Sequence, residues 1–139
     1  MAVIHTRAET IGNVVKFLGH PAEDYHFEVV TVNLAAGATL AIGTVLAKVT
    51  ATGKYLVQDA SLASGAGLEA AGVLIGADEN NFGLTCATAT DTKALMLARG
   101  PAKVAKGQLI MGAGTDTAAE KLAVYNALAA LGILASDQI

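Results

Sequence analysis

Residues 40–55, LAIGTVLAKVTATGKY, constrain this chain more than any other stretch. Gly43 and Gly53 punctuate a short β-branched run of Thr44, Val45, Val49 and Thr50, residue types that suit a pleated, half-buried surface. Thr52-Gly53-Lys54 is a turn signal, because glycine takes a positive φ at no steric cost. Tyr55-Leu56-Val57 follows as a returning strand, so the stretch predicts a β-hairpin. Residues 72–76 (GVLIG) and 104–110 (VAKGQLI) echo the pattern more weakly. Three short β segments with glycines at their ends predict one small β domain and point to no active site.

The chain has 139 residues, enough for one domain with a real core. It is 53% hydrophobic and only 15% charged, against a usual charged fraction of about 25%. No uninterrupted apolar run reaches the roughly 18 residues of a membrane span. The most apolar piece, residues 122–135, contains Tyr125, Asn126 and Gly132. No basic region followed by an apolar one opens the chain, so no secretory signal is expected. An apolar chain without a span is expected to cover part of its surface with other chains, the first sign of an assembly protein. The net charge of −3, with scattered basic residues, argues against a nucleic-acid partner, which needs a Lys/Arg stripe. The single cysteine, Cys86, excludes an intramolecular disulfide and fits a cytoplasmic site of synthesis.

Read in order, residues 1–24 form an extended N-terminal arm. Glu9-Thr10-Ile11-Gly12-Asn13 breaks any period, residues 14–18 (VVKFL) have strand character, and Gly19-His20-Pro21 ends them. A domain spanning 25–139 follows. Residues 26–34 (HFEVVTVNL) carry the strongest strand signal, and Ala35–Ala38 positions turn the chain before the hairpin. Residues 59–67 read as a loop, 68–77 as a strand, 78–83 as a turn and 84–90 as a strand rich in threonine. Residues 93–99 (KALMLAR) have helix-forming composition but lie among strands and end at Gly100-Pro101, so a strand is expected. Further β structure is expected over 102–111, then a loop from Gly112. A helix is predicted over 117–131: Thr117 and Glu120 have capping-box spacing, and Val124, Leu128 and Leu131 form a stripe at helical intervals. Gly132 suits a left-handed stop, with Ile133 packing back on Leu128. The fold class expected is therefore mainly β with one C-terminal helix.

No catalytic, cofactor or metal site emerges. His5, His20 and His26 lie 15 and 6 residues apart, in or beside the arm, and do not supply converging ligand geometry. Cys86 sits in an apolar context as a small hydrophobe. Gly112-Ala113-Gly114-Thr115 precedes a helix but lacks the lysine of a P-loop and the third glycine of a dinucleotide fingerprint. Asp78-Glu79 reads as a solvated turn. Lys54 at a hairpin tip occupies the position of the modified lysine in lipoyl and biotinyl domains, yet Gly53 and Tyr55 are not the neighbours those domains use.

The order of features resembles the head decoration protein family of tailed bacteriophages. The residues that carry the resemblance are Leu40-Ala41-Ile42-Gly43-Thr44-Val45-Leu46, positions 50–55, Ala71-Gly72-Val73-Leu74, Arg99-Gly100-Pro101-Ala102-Lys103-Val104, and Ala127-Leu128-Ala129-Ala130-Leu131-Gly132-Ile133. They span residues 27 to 135 in matching order, behind an arm longer than the shortest members have. The resemblance implies a β-clip-like small barrel with a packed helix and no enzymatic activity. It further implies homotrimers on the outer surface of an expanded virion shell, bound to the major capsid protein, after synthesis in the host cytoplasm. An arm that gains main-chain hydrogen bonds at an open sheet edge fits that picture, and Val3, Ile4, Thr6, Val14, Val15 and Phe17 are the candidate capsid-binding residues. No cofactor, nucleic acid or membrane is expected as a partner.

Two rivals stand beside this reading. A β-clip carbohydrate-binding module shares the Gly-Thr-Val-Leu hairpin, although the chain has no Trp and only six Tyr and Phe for stacking on sugars. A small enzyme subunit with a pocket between chains would show no titratable cluster in one sequence.

Overall fold

Strand pairing across the whole chain turns these segments into a barrel. The computed structural model describes residues 15–17, 26–33, 39–76, 84–85 and 91–137. The elements in order are β1 (Val15–Phe17), β2 (Phe27–Asn33), β3 (Thr39–Leu40), β4 (Val45–Val49), β5 (Tyr55–Val57) and β6 (Ala66–Gly76). Then come β7 (Leu84–Thr85), β8 (Asp91–Leu97), β9 (Ala102–Ala105), a 3-10 turn (Lys106–Gln108), helix α1 (Ala118–Ala130) and β10 (Ile133–Ser136). Strands β2-β5-β4-β6-β8 close into a barrel, β1-β9-β10 form a second sheet, and β3 pairs with β7.

The expected hairpin is present. Leu46 pairs with Val57 and Lys48 with Tyr55 in antiparallel register, and Gly53 holds φ +71° at the tip. The Gly53 amide donates to the Val49 carbonyl at 2.8 Å. Strand β6 runs antiparallel to β4 through two register shifts, the local extra twist a small barrel needs. Residues 91–97, the ambiguous stretch, form β8. It pairs along all of β2, from Phe27↔Leu97 to Asn33↔Asp91, so tertiary pairing overrides helix-favouring composition there.

Two cores explain the apolar runs. Inside the barrel, Val30, Val32, Leu46, Tyr55, Leu74, Ala94, Met96 and Ala98 pack together. Outside it, Val45, Val73, Ile75 and Leu97 meet Val124 and Leu128 of α1 and Val104 and Ile133 of the second sheet. Val45 and Leu46, like Val73 and Leu74, therefore face opposite cores, and β4 and β6 are buried on both sides. A strand covered on both faces reads as a continuous apolar run, not an alternating one. Gly72 stands where a Cβ would meet the Leu97 carbonyl and the Met96 side chain, which lets β6 and β8 approach.

Helix α1 starts as its sequence requires. Thr117 is the N-cap, its hydroxyl accepting from the Glu120 amide while the Glu120 carboxylate accepts from the Thr117 amide. Gly132 has φ +83°, and Ile133 shares a core with Leu128. Residues 133–136 form β10, parallel to β9.

The expected turns over 35–38 and 78–83 lie outside the described residues, as do His5, His20, Cys86, Asp78 and Glu79. Of the strand expected over 84–90, Leu84 and Thr85 are described.

Candidate functional site

The second sheet gathers both ends of the described chain. Its middle strand, β9, follows Gly100-Pro101 and pairs antiparallel with β1 on one side and parallel with β10 on the other. The end of α1 is stitched to its start: the Gly100 amide donates to the Leu131 carbonyl at 2.9 Å, and the Ala102 amide to the Gly132 carbonyl at 3.2 Å. Gly100 and Gly132 lie so close that a Cβ on Gly100 would collide with the Gly132 carbonyl. Among the described residues the edge strands of this sheet are β1 and β10.

Of the candidate binding residues, Val3, Ile4, Thr6 and Val14 lie outside the described residues. Val15 and Phe17 belong to β1, where they hold the register positions opposite Val104 and Ala102. The register also sets Lys16 opposite Lys103, and Lys103 in turn beside Leu134 of β10. On β9, Ala102 and Val104 are buried while Lys103 is half-buried on the other face. Leu134 is 47% exposed, and Ile133 beside it is fully buried. Sequence reasoning missed this cross-strand row, because the three residues lie far apart in the chain and only the register unites them.

The other motifs are occupied by the fold itself. The glycine-rich loop before α1 is folded onto a carboxylate of the same chain. The Gly114 amide donates to Asp59 Oδ2 at 3.3 Å, and a Cβ at Gly112 or Gly114 would strike the Asp59 side chain. Hydrogen bonds from the Ser61 hydroxyl and amide hold the Asp59 carboxyl below its ordinary pKa, helped by the Gly114 amide. Lys54, at the hairpin tip, pairs with Asp91 at 2.9 Å, and Asn33 Nδ2 donates to the other Asp91 oxygen at 2.9 Å. Lys54 and Asn33 hold the Asp91 carboxyl below its ordinary range. His26 is buried, and its carbonyl accepts from the Ala98 amide at 2.8 Å. Among the described residues no group of three His, Cys, Asp or Glu side chains converges as metal ligands. No described helix is long and apolar enough to cross a membrane.

Apolar surface is plentiful instead. Val29, Leu62, Ile110, Leu122 and Leu134 are exposed. Helix α1 (AAEKLAVYNALAA) buries only Val124 and Leu128, although its sequence is apolar on most sides, the pattern of a helix that is covered. A cavity of about 270 Å³ lies between α1 and β6, lined by Leu68, Ala70, Ala123, Val124 and Ala127 with Glu69 and Glu120 among its polar members.

In comparison with known proteins, the family model described as bacteriophage lambda head decoration protein D matches residues 9–133. No curated protein sequence matches the chain.

Proposed function

This chain belongs to the bacteriophage lambda head decoration protein D family, and from that membership we propose that it binds as trimers to the outside of an expanded phage head and stabilises the shell. It is a structural protein associated with the phage capsid. The finer reading rests on one observation: residues 15–17 form the edge strand of a sheet whose middle strand is β9.

A chain segment that leaves a fixed edge strand is anchored to the body at one end. Its main chain gains hydrogen bonds by pairing with an open edge of the shell. The proposed contact runs along Val3, Ile4, Thr6 and Val14, with Val15 and Phe17 at its root in β1. Ordering such a segment costs conformational entropy, so a single arm binds weakly. A trimer presents three, and the first to bind raises the effective concentration of the others. The exposed apolar residues and the thinly covered helix α1 support self-association, and a three-fold ring closes on heterologous contacts. The partner is the major capsid protein, and the site of action is the outer surface of the virion, after synthesis in the host cytoplasm.

The test compares the full chain with a variant lacking residues 1–14, which retains β1. Both are sedimented with expanded, DNA-free shells of the phage that encodes the chain. The full chain pellets with the shells and the truncated chain, though folded, stays in solution. Equal pelleting of the two would overturn the role of the arm.

A further inference from the structure

We propose that the edge of β2 at Val29 is a second contact with the capsid, where an extended strand of the shell protein adds to the barrel. This inference rests on the capsid-binding reading and adds a surface of the folded domain to the arm.

Register fixes the direction of the main chain here. The Ala98 amide donates to the His26 carbonyl at 2.8 Å, one position beyond the pair Phe27↔Leu97. Hydrogen-bonded and non-bonded pairs alternate along antiparallel strands. Glu28↔Met96 and Val30↔Ala94 are therefore bonded pairs, and Val29↔Leu95 between them is not. The Val29 amide and carbonyl point away from β8, off the side of β2 that faces the hairpin. The hairpin pairs with that side at Val32↔Tyr55, and among the described residues no strand pairs with Val29 there. The Val29 side chain is 69% exposed, the most of the described large apolar residues. Leu95, half-buried, lies across from it. Strand edges are ordinarily blunted by lysine, proline or a bulge. The β2 sequence, FEVVTVN, has neither residue, and its register with β8 is unbroken. An extended partner strand gains both main-chain bonds of Val29 and sets an apolar side chain over Val29 and Leu95.

Position selects the shell protein as that partner. Residues 98–101 separate β8 from β9, and β9 holds Phe17, at the root of the arm, opposite Ala102. The edge thus begins beside the strand from which the arm leaves, where the capsid-binding reading places the shell. Two copies joined through like edges of β2 would form a two-fold pair, which a three-fold ring does not contain.

Val29→Pro tests the edge directly. The Val29 amide takes no part in the β2-β8 ladder, so the proline ring removes the outward donor and spares the ladder. Val29→Lys keeps the donor and sets a charge where the partner's apolar side chain lies. Val29→Lys is expected to melt near the wild-type temperature and both variants to keep the wild-type mass at sedimentation equilibrium, while their pelleting with expanded, DNA-free shells weakens about tenfold. Val29→Ile, which keeps an apolar β-branched side chain, pellets like wild type. Unchanged pelleting of a folded Val29→Lys chain would overturn this inference and leave the arm's role standing. A lower mass of both variants without shells would make a second copy the occupant and overturn the shell assignment. Failure of the wild-type chain to pellet would overturn both readings. If the chain lacking residues 1–14 pellets as well as the full chain while Val29→Lys does not, the arm's role falls and the β2 contact stands.

Discussion

Thr115 Oγ1 donates a hydrogen bond to Gln58 Oε1 at 2.9 Å, and both residues are buried. The same hydroxyl accepts from the Ala60 amide at 2.9 Å, and Gln58 Nε2 donates to the Leu68 carbonyl at 2.7 Å. This relay ties the end of β5 and the start of β6 to the loop that delivers α1. Each of these polar groups makes at least one hydrogen bond, and a buried network of this kind fixes one arrangement of its parts.

Thr115→Val keeps the shape and deletes the hydroxyl. The Gln58 oxygen and the Ala60 amide then lose a partner, and a buried polar group left unsatisfied costs about 1–3 kcal/mol. Urea unfolding of the variant is expected to show that loss with an unchanged m-value. A loss below about 0.5 kcal/mol would mean that water reaches the relay.

Gly100→Ala tests the joint between α1 and β9. The added methyl meets the backbone carbonyl of Gly132, and backbone yields less readily than a side-chain tip. Overpacking of this kind costs about 1–3 kcal/mol. Gly53→Ala is the control: its added methyl meets nothing within 4 Å, so only the φ of +71° opposes it. Thermal melting should rank Gly100→Ala as the more damaging of the two.

These two sites also mark what was legible in the sequence. The hairpin and the capping box could be read because their partners lie close in sequence: Val49 with Gly53, Thr117 with Glu120. The closure of the barrel could not, since Asn33 and Asp91 are 58 positions apart and nothing local specifies their register. The loop at Gly112–Thr115 positions looked free for the same reason, its anchor being Asp59. Strand β10 was hidden by its own start. Ile133 packing on Leu128 was foreseen as the end of a helix, while its parallel pairing to Ala102 depends on a strand 31 positions earlier. The Lys16–Lys103 opposition was invisible on the same grounds, and the arm candidates Val3, Ile4, Thr6 and Val14 remain a proposal.

Acid should weaken the fold, with a defined sign. Four carboxyls sit below their ordinary pKa values of 3.8 and 4.5: Asp59 through the Ser61 hydroxyl, Glu69 through the Ser64 hydroxyl, Asp91 through Lys54, and Glu120 through the Thr117 amide. A carboxyl depressed in the folded state stabilises it fully above the unfolded-state pKa. That contribution is lost as pH falls through the folded-state value. The melting temperature is therefore expected to be level with respect to these groups from about pH 7 to about pH 5 and to drop below about pH 4. All four groups are solvent-exposed, so the drop is gradual. A melting temperature that rises on acidification would contradict the assigned hydrogen bonds.

Trimer formation is checked by mass. The chain is 14.0 kDa, and sedimentation equilibrium of shell-bound protein released under mild conditions should give three times that value. Monomers throughout the concentration range used for shell binding would remove the avidity argument.

The most direct test of the account is the temperature at which expanded, DNA-free shells rupture as increasing amounts of the full chain are added. A structural cement that spans shell subunits raises that temperature until its sites are filled, after which further protein has no effect. An unchanged rupture temperature at saturating protein would contradict the central claim.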